Sequence, residues 1–454
     1  LGLESLEGRE VPAGVVTTAV SHGNLIVTGD NSANQITVSQ AATGQVTITG
    51  TGGTNVDGGT ASTRSFTGNL VIKLKGGNDT VSFDLTNPID LPHDLTVSYG
   101  PKDTGTKVTQ TTNAGANDLI VGRNVAIAYA AGTVTTTFDN LNVTGNVTVR
   151  HGAGDSAFTA DSKAAAGVFA HIGGSLSVTN TLGQATNVLA DTNVDRNVTF
   201  TNGRAVTGAG STTIANAVNT ALANIGGNVR ISNASGDSTG GGDRVGDVHV
   251  KGNVSLSLGS GAFTATVANV LGAAGTAIDG NLTVTGGIDG ADTIALGAGG
   301  AAGVALTVGK NLTVRAGTHA ATITVDNVSV NGNTNITTGS EADTITIDGA
   351  ASDEGSTFSG AFVVSTGAGT DTLSINATAG STATTDFEGK VSVNLGPDSD
   401  TLNLAAGGVV NFLAPANVPV VFDGGAGVGD VNTKVVDMAN VRGTHPAPVF
   451  KHFA

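Results

Sequence analysis

Cysteine and tryptophan do not occur in the 454 residues, tyrosine occurs twice, and charged residues make up only 12% of the chain. Without cysteine there are neither disulfides nor thiolate metal sites, so packing and backbone pairing must supply the stability. With no tryptophan, and with Tyr99 and Tyr129 the only tyrosines, the chain lacks the sugar-stacking aromatics that a polysaccharide-cleaving groove needs beside its paired carboxylates. No run of 18 apolar residues occurs, so a membrane-spanning helix is not expected. The few charges are unbalanced at −16. Such a surface repels phosphate backbones and anionic lipid, which argues against nucleic-acid binding. The chain opens at Leu1 with neither Met nor an apolar signal core, which reads as a processed terminus.

What is abundant is glycine, at 68 residues, together with Thr, Val, Asn and Ala, a mixture suited to short strands joined by tight polar turns. A repeat organises it. The unit Gly/Lys/Arg-Asn-apolar-x-apolar recurs at Asn69, Asn124, Asn146, Asn197, Asn228, Asn253, Asn281, Asn311 and Asn333, with weaker copies at Asp94, Ser175, Ala361 and Lys390. The spacing averages about 27 residues, in the range of solenoids and arrays. Individual intervals vary, as they do when corner loops change length while strands stay in register. Leu282 and Val284 point one way and Thr283 the other, the two-residue alternation of a half-buried strand. A second alternating strand follows Asp79, Asp292, Asp343, Asp371 and Asp400, and a third is visible at Phe138–Val143 and Val325–Val330. The predicted fold is therefore all-β, a parallel β-helix (β-solenoid) of about 13 or more irregular coils with non-repetitive N- and C-terminal segments. Residues 1–14 form the leading segment, 15–412 the solenoid and 413–454 a C-terminal cap or intersubunit tail, because Pro415, Pro419, Pro446 and Pro448 interrupt any regular ladder.

The recurring asparagine has two readings. It stacks coil upon coil with its amide bonding the next, or it occupies a left-handed turn position beside glycine. One stretch breaks the β pattern: Ile214, Ala217, Val218, Ala221, Leu222 and Ile225 fall at helical spacing within Thr213–Ile225.

The opening Leu3-Glu4-Ser5-Leu6-Glu7-Gly8-Arg9-Glu10-Val11-Pro12-Ala13 resembles the LExLExRxxPA segment near the start of exported surface proteins of planctomycete-type bacteria. The resemblance covers eleven residues and implies export and display at the cell surface. Thr366–Ser374 resembles the calcium-binding GGxGxDxUx nonapeptide of RTX-type β-rolls, with Gly367, Gly369, Asp371 and Leu373 matching and Thr366 in place of the first glycine. That resemblance implies calcium at Asp343, Asp371 and Asp400, which share one offset in successive units. The tandem spacing of a calcium roll is missing, however, and an Asp that caps a turn is the plainer reading. Calcium is the one candidate cofactor. The eight histidines show neither metal-ligand spacing nor a shared coil offset, and no catalytic residue is assigned.

Val449, Phe450 and Phe453 make an apolar tail on a chain poor in aromatics, a candidate for insertion into a neighbouring subunit or for folding back over the last coil. The expected function is structural and non-enzymatic: an extracellular cell-surface subunit that polymerises with itself into a filament, sheath or lattice. An adhesin or module that binds a surface glycan is the alternative.

Overall fold

The computed structural model describes residues 14–453 except 43, 102–106, 112–117, 163–168, 205–209, 216–221, 236–241, 269–274, 298–305, 351–354, 428–429 and 444–446. The LExLExRxxPA-like segment lies outside the described residues. Two compact units are formed, one of Leu1–Ala164 with Ala170–Gly174 and one of Ala165–Phe169 with Ser175–Ala454. Both are parallel β-solenoids, and the described residues contain no helix. The all-β solenoid of 13 or more coils expected from the repeat is what the chain forms.

In the first unit, face one is built from Asn24–Thr28, Leu70–Lys73, Leu95–Tyr99, Val125–Tyr129 and Val147–Ala153. Their leading apolar residues stack as Leu25, Leu70, Leu95, Val125 and Val147, all in parallel register. Face two starts at Gln35–Ala42 and runs to Ser156–Asp161, and face three runs from Ile89–Leu91 to Ala170–Ile172. The inward side chains are almost all fully buried, each worth about 1.5–3 kcal/mol against exposure.

The start of this unit departs from the repeat. Val15–Ser21 pairs antiparallel with Asn24–Thr28, and Gln45–Thr51 lies antiparallel between Gln35–Ala42 and Ala61–Ser65. His22 and Gly23 cause the first reversal: both have positive φ, at 49° and 81°, the requirement of a two-residue hairpin turn whose twist matches its strands. These strands cover edges that a parallel coil would leave open.

In the second unit, face one runs from Leu176–Leu182 to Val449–Lys451, face two from Ala185–Ala190 to Thr433–Val436 and face three from Thr192–Val194 to Val441–Gly443. The corner between faces two and three turns on left-handed residues, among them Asp191, Asp247, Asn327, Asp348 and Asn376, types that tolerate positive φ. Asn140 does the same in the first unit. The run Phe138–Val143, read from sequence as one strand, is thus the end of Val134–Asp139, a corner at Asn140 and a new strand Leu141–Val143. Asn327 likewise divides Ala321–Val325 from Val328–Val330.

Thr213–Ile225 contributes strand instead of helix at both ends: Ser211–Ala215 and Ala223–Ile225 pair with their neighbours on faces two and three, and 216–221 lie outside the described residues. Backbone pairing with adjacent coils overrides a local apolar period there. Parallel pairing also continues beyond Phe412, through Val420–Asp423 to Val449–Lys451. Pro415, Pro419 and Pro448 fall between strands, where no ladder donor is needed.

Candidate functional site

Two polar ladders follow the corners, and they run in opposite senses. The first is built by the repeat asparagines. Each side-chain Oδ1 accepts the backbone N–H of the equivalent residue one coil later: Asn253 donates to Asn228 at 2.8 Å, Asn281 to Asn253 at 2.9 Å, Asn311 to Asn281 at 3.1 Å and Asn333 to Asn311 at 2.9 Å. The amide Nδ2 of Asn253, Asn281 and Asn311 donates to the same oxygens at 3.1, 2.8 and 3.0 Å. None of these asparagines is left-handed, so stacking is the reading that holds. The weaker copies fit by chemistry: Asp94 accepts from Asn124 at 3.0 Å and Ser175 from Asn197 at 3.3 Å. The Ala361 backbone N–H donates to Asn333 Oδ1 at 2.9 Å, but Ala361 has no side-chain acceptor to offer onward.

Replacing Asn281 by alanine leaves Asn311 without its side-chain acceptor at an exposed corner, and is expected to cost about 1–2 kcal/mol. Asn281→Asp keeps an acceptor, as Asp94 does naturally, and should lose less. Urea unfolding of the two variants checks the order; equal losses would mean that the ladder contributes nothing specific.

The second ladder contains the three aspartates singled out from sequence. Here each carboxylate Oδ1 accepts the backbone N–H of the preceding coil: Ala321 donates to Asp343 at 2.7 Å, Asp343 to Asp371 at 2.8 Å and Asp371 to Asp400 at 2.8 Å. Asp400 N–H in turn donates to Asn432 Oδ1 at 2.7 Å. The same bond joins Asn34 to Asp79 in the first unit, at 2.7 Å. The structure therefore brings Asp343, Asp371 and Asp400 into one column, at most 1% exposed. Among the described residues the second oxygen of each has no hydrogen-bond partner.

Burial pushes the Asp400 carboxyl up to about 7, with the Asp371 N–H opposing and the charges of Asp371, Asp398 and Asp430 reinforcing the rise. Asp371 is likewise pushed up to about 6, mainly by burial, against its Thr366 and Asp343 hydrogen bonds. Asp343 is raised for the same first cause. One unengaged oxygen per rung is a small supply beside the roughly six to eight oxygens that calcium takes. Among the described residues no group of three or more His, Asp or Glu is placed to hold a metal ion.

The tail residues are docked on their own unit. Phe450 stacks on Phe422 at 5.6 Å, Phe453 meets Phe450 at 6.4 Å, and Lys434 Nζ lies 5.9 Å above the Phe450 ring. Asn432 Nδ2 donates to the His452 carbonyl at 3.0 Å. Val449 is exposed.

Two features escaped the sequence reading. A shallow groove of about 280 Å³ on face one of the first unit is lined by Thr96, Ser98, Ala126, Ala128, Thr148 and Arg150 among others; small residues on two adjacent outward rows form its floor, a cross-strand pattern that only the register reveals. The other is a set of buried asparagines around Asp243 inside the second unit. Asn202 and Asn233 look in sequence like ordinary strand residues, and the one available signal was their place in the inward phase of the alternation. No family model, curated protein or solved structure matches the chain.

Proposed function

We propose that this chain is a non-enzymatic structural subunit of an extracellular cell-surface assembly, a filament, sheath or lattice built by association of solenoids with one another. The observation that carries the reading is how the polar side chains are used. The repeat asparagines and the column aspartates bond coil to coil, which makes a stiff stack whose units depend only on their neighbours. Thr433–Val436, Val441–Gly443 and Val449–Lys451 are paired on one side only among the described residues. Val431, Val435, Met438 and Val449 are exposed beside them. An open strand edge with apolar side chains is a template for a further strand layer, and head-to-tail use of it gives open polymers.

Sedimentation and negative-stain microscopy of the purified chain test the proposal. Regular polymers are expected, and Val435→Lys with Val449→Lys should shorten or abolish them. A natural chain that stays monomeric at high concentration would remove the reading.

The groove on face one of the first unit favours a second reading, a glycan-binding surface module. Arg150 is a cation on a chain of net charge −16, which suits an acidic sugar. Binding of an acidic oligosaccharide that Arg150→Glu abolishes would support it, and an array without any bound glycan would count against it.

A further inference from the structure

The buried polar side chains of the second unit gather at one internal corner. Face one ends there with Asn180, Asn202 and Asn233, stacked in register on successive coils. Face two opens there with Asn187, Thr212 and Asp243, on strands that are also in register. All six side chains are at most 5% exposed, on strands whose other buried side chains are apolar, such as Val178, Phe200, Ile231 and Ile214.

Their hydrogen bonds lead one way. Asn180 and Asn187 donate through Nδ2 to Asn202 Oδ1 at 2.8 and 2.9 Å. Asn202 Nδ2 donates to Asn233 Oδ1 at 2.7 Å and to Thr212 Oγ1 at 3.2 Å. Asn233 Nδ2 donates to Asp243 Oδ2 at 2.6 Å, and the Thr212 backbone N–H donates to Asp243 Oδ1 at 3.1 Å. Asp243 is the terminal acceptor of the set. Of the charged residues on these strands, Arg204 and Arg230 are exposed and Arg244 is half-buried, on the strand position next to Asp243. The strands of the following coil, Val254–Ser257 and Thr264–Val267, carry no titratable group. Among the described residues of these strands no cation therefore offsets a charge on Asp243.

We propose that this six-residue box is a proton-operated lock on the coils from Val198 to Val245: with Asp243 neutral it ties faces one and two together at the corner, and ionisation of Asp243 loosens them. A satisfied buried network holds one arrangement, whereas an unpaired charge in the same place is costly. Burial pushes the Asp243 carboxyl up to about 7, against the opposing hydrogen bonds of Asn233 and Thr212. The folded chain then binds a proton that the unfolded chain has released, so the lock weakens as the pH rises from about 4 to about 7 and stays weak above.

Hydrogen exchange of the full chain, read by mass spectrometry at about pH 5.5 and about pH 8, tests this. After correction for intrinsic rates, peptides covering 198–204, 211–215 and 229–235 are expected to exchange roughly tenfold faster at the higher pH. Asp243→Asn should remove that difference, while Asp400→Asn, in the other column, should leave it in place. A difference that persists in Asp243→Asn, or is absent from the natural chain, overturns the proposal. Should Asp243→Asn not fold, carbon-13 titration of the natural chain decides: an Asp243 carboxyl titrating near 7 supports the lock, and one titrating near the unperturbed 3.8 overturns it.

Discussion

Phe387→Ala is expected to destabilise the second unit by about 3–5 kcal/mol, the cost of emptying a close-packed aromatic site. Phe387 is fully buried and lies between two rings of the same face-three column, Phe358 at 5.4 Å and Phe412 at 5.5 Å, both nearly parallel to it. Phe362, from face one, meets it edge-on at 4.8 Å. Strand register fixes this arrangement, since Phe358 pairs with Phe387 and Phe387 with Phe412. Neighbouring rings on rigid ladders cannot collapse into the gap, so the cavity term should be near its upper range. Urea unfolding measures the loss, and hydrogen exchange should place it in 357–412, because a solenoid coil contacts chiefly its neighbours. A loss below about 1 kcal/mol would mean that the rings are not packed as described.

The second large effect is on pH dependence. Asp371 and Asp400 have carboxyls raised to about 6 and about 7, and Asp343, Asp348 and Asp292 are also raised, burial being the first cause in each. A carboxyl whose folded pKa exceeds its unfolded value holds its proton longer in the fold. Stability is therefore highest near the unfolded value of about 4 and falls as the pH rises through 6 to 7. The melting temperature of the second unit should drop between about pH 5 and about pH 8, the reverse of the usual acid loss. Asp371→Asn with Asp400→Asn should flatten the curve and raise the melting temperature at the alkaline end. Asparagine can make the same bond, as Asn432 does to the Asp400 N–H at 2.7 Å. A melting temperature that rises over that interval, or a double variant with the natural pH profile, would show that these carboxyls are ionised in the folded chain. Asp57 in the first unit behaves oppositely: burial acts to raise it, but bonds from Thr18, Ser62 and Arg64 hold it at about 2.

The three-faced coil was readable because its signals are local. Asn281-Leu282-Thr283-Val284 carries the ladder residue, the inward pair and the outward threonine in four positions, and the same order recurs in most units. The column of Asp343, Asp371 and Asp400 could be placed for the same reason, since each precedes an alternating strand. What that column does with its oxygens was not readable. Its hydrogen bonds go to the preceding coil, while those of the asparagines tie a later coil to an earlier one, and nothing in a single repeat encodes that direction.

The groove beside Arg150 and the box around Asp243 were hidden for a related reason. Ser98 and Ala128 become neighbours only through pairing of strands 30 residues apart, and Asn202 finds Asn233 across 31 residues. An inward asparagine in an alternating strand signals a fault in the core unless its partner is known.

Taken alone, then, the order of residues determined the class of fold, the recurrence of the corner asparagines and the position of the acidic column, because strand alternation and corner chemistry act within a few residues. Tertiary structure alone decided that the first strands run antiparallel and cover an edge, that Ser211–Ala215 and Ala223–Ile225 are strands paired to adjacent coils, and that burial raises the carboxyls of Asp371 and Asp400. Each of these depends on which atoms of an adjacent coil come within hydrogen-bond reach, and on how far water is excluded there, which variable corner loops leave unspecified until the coils are stacked.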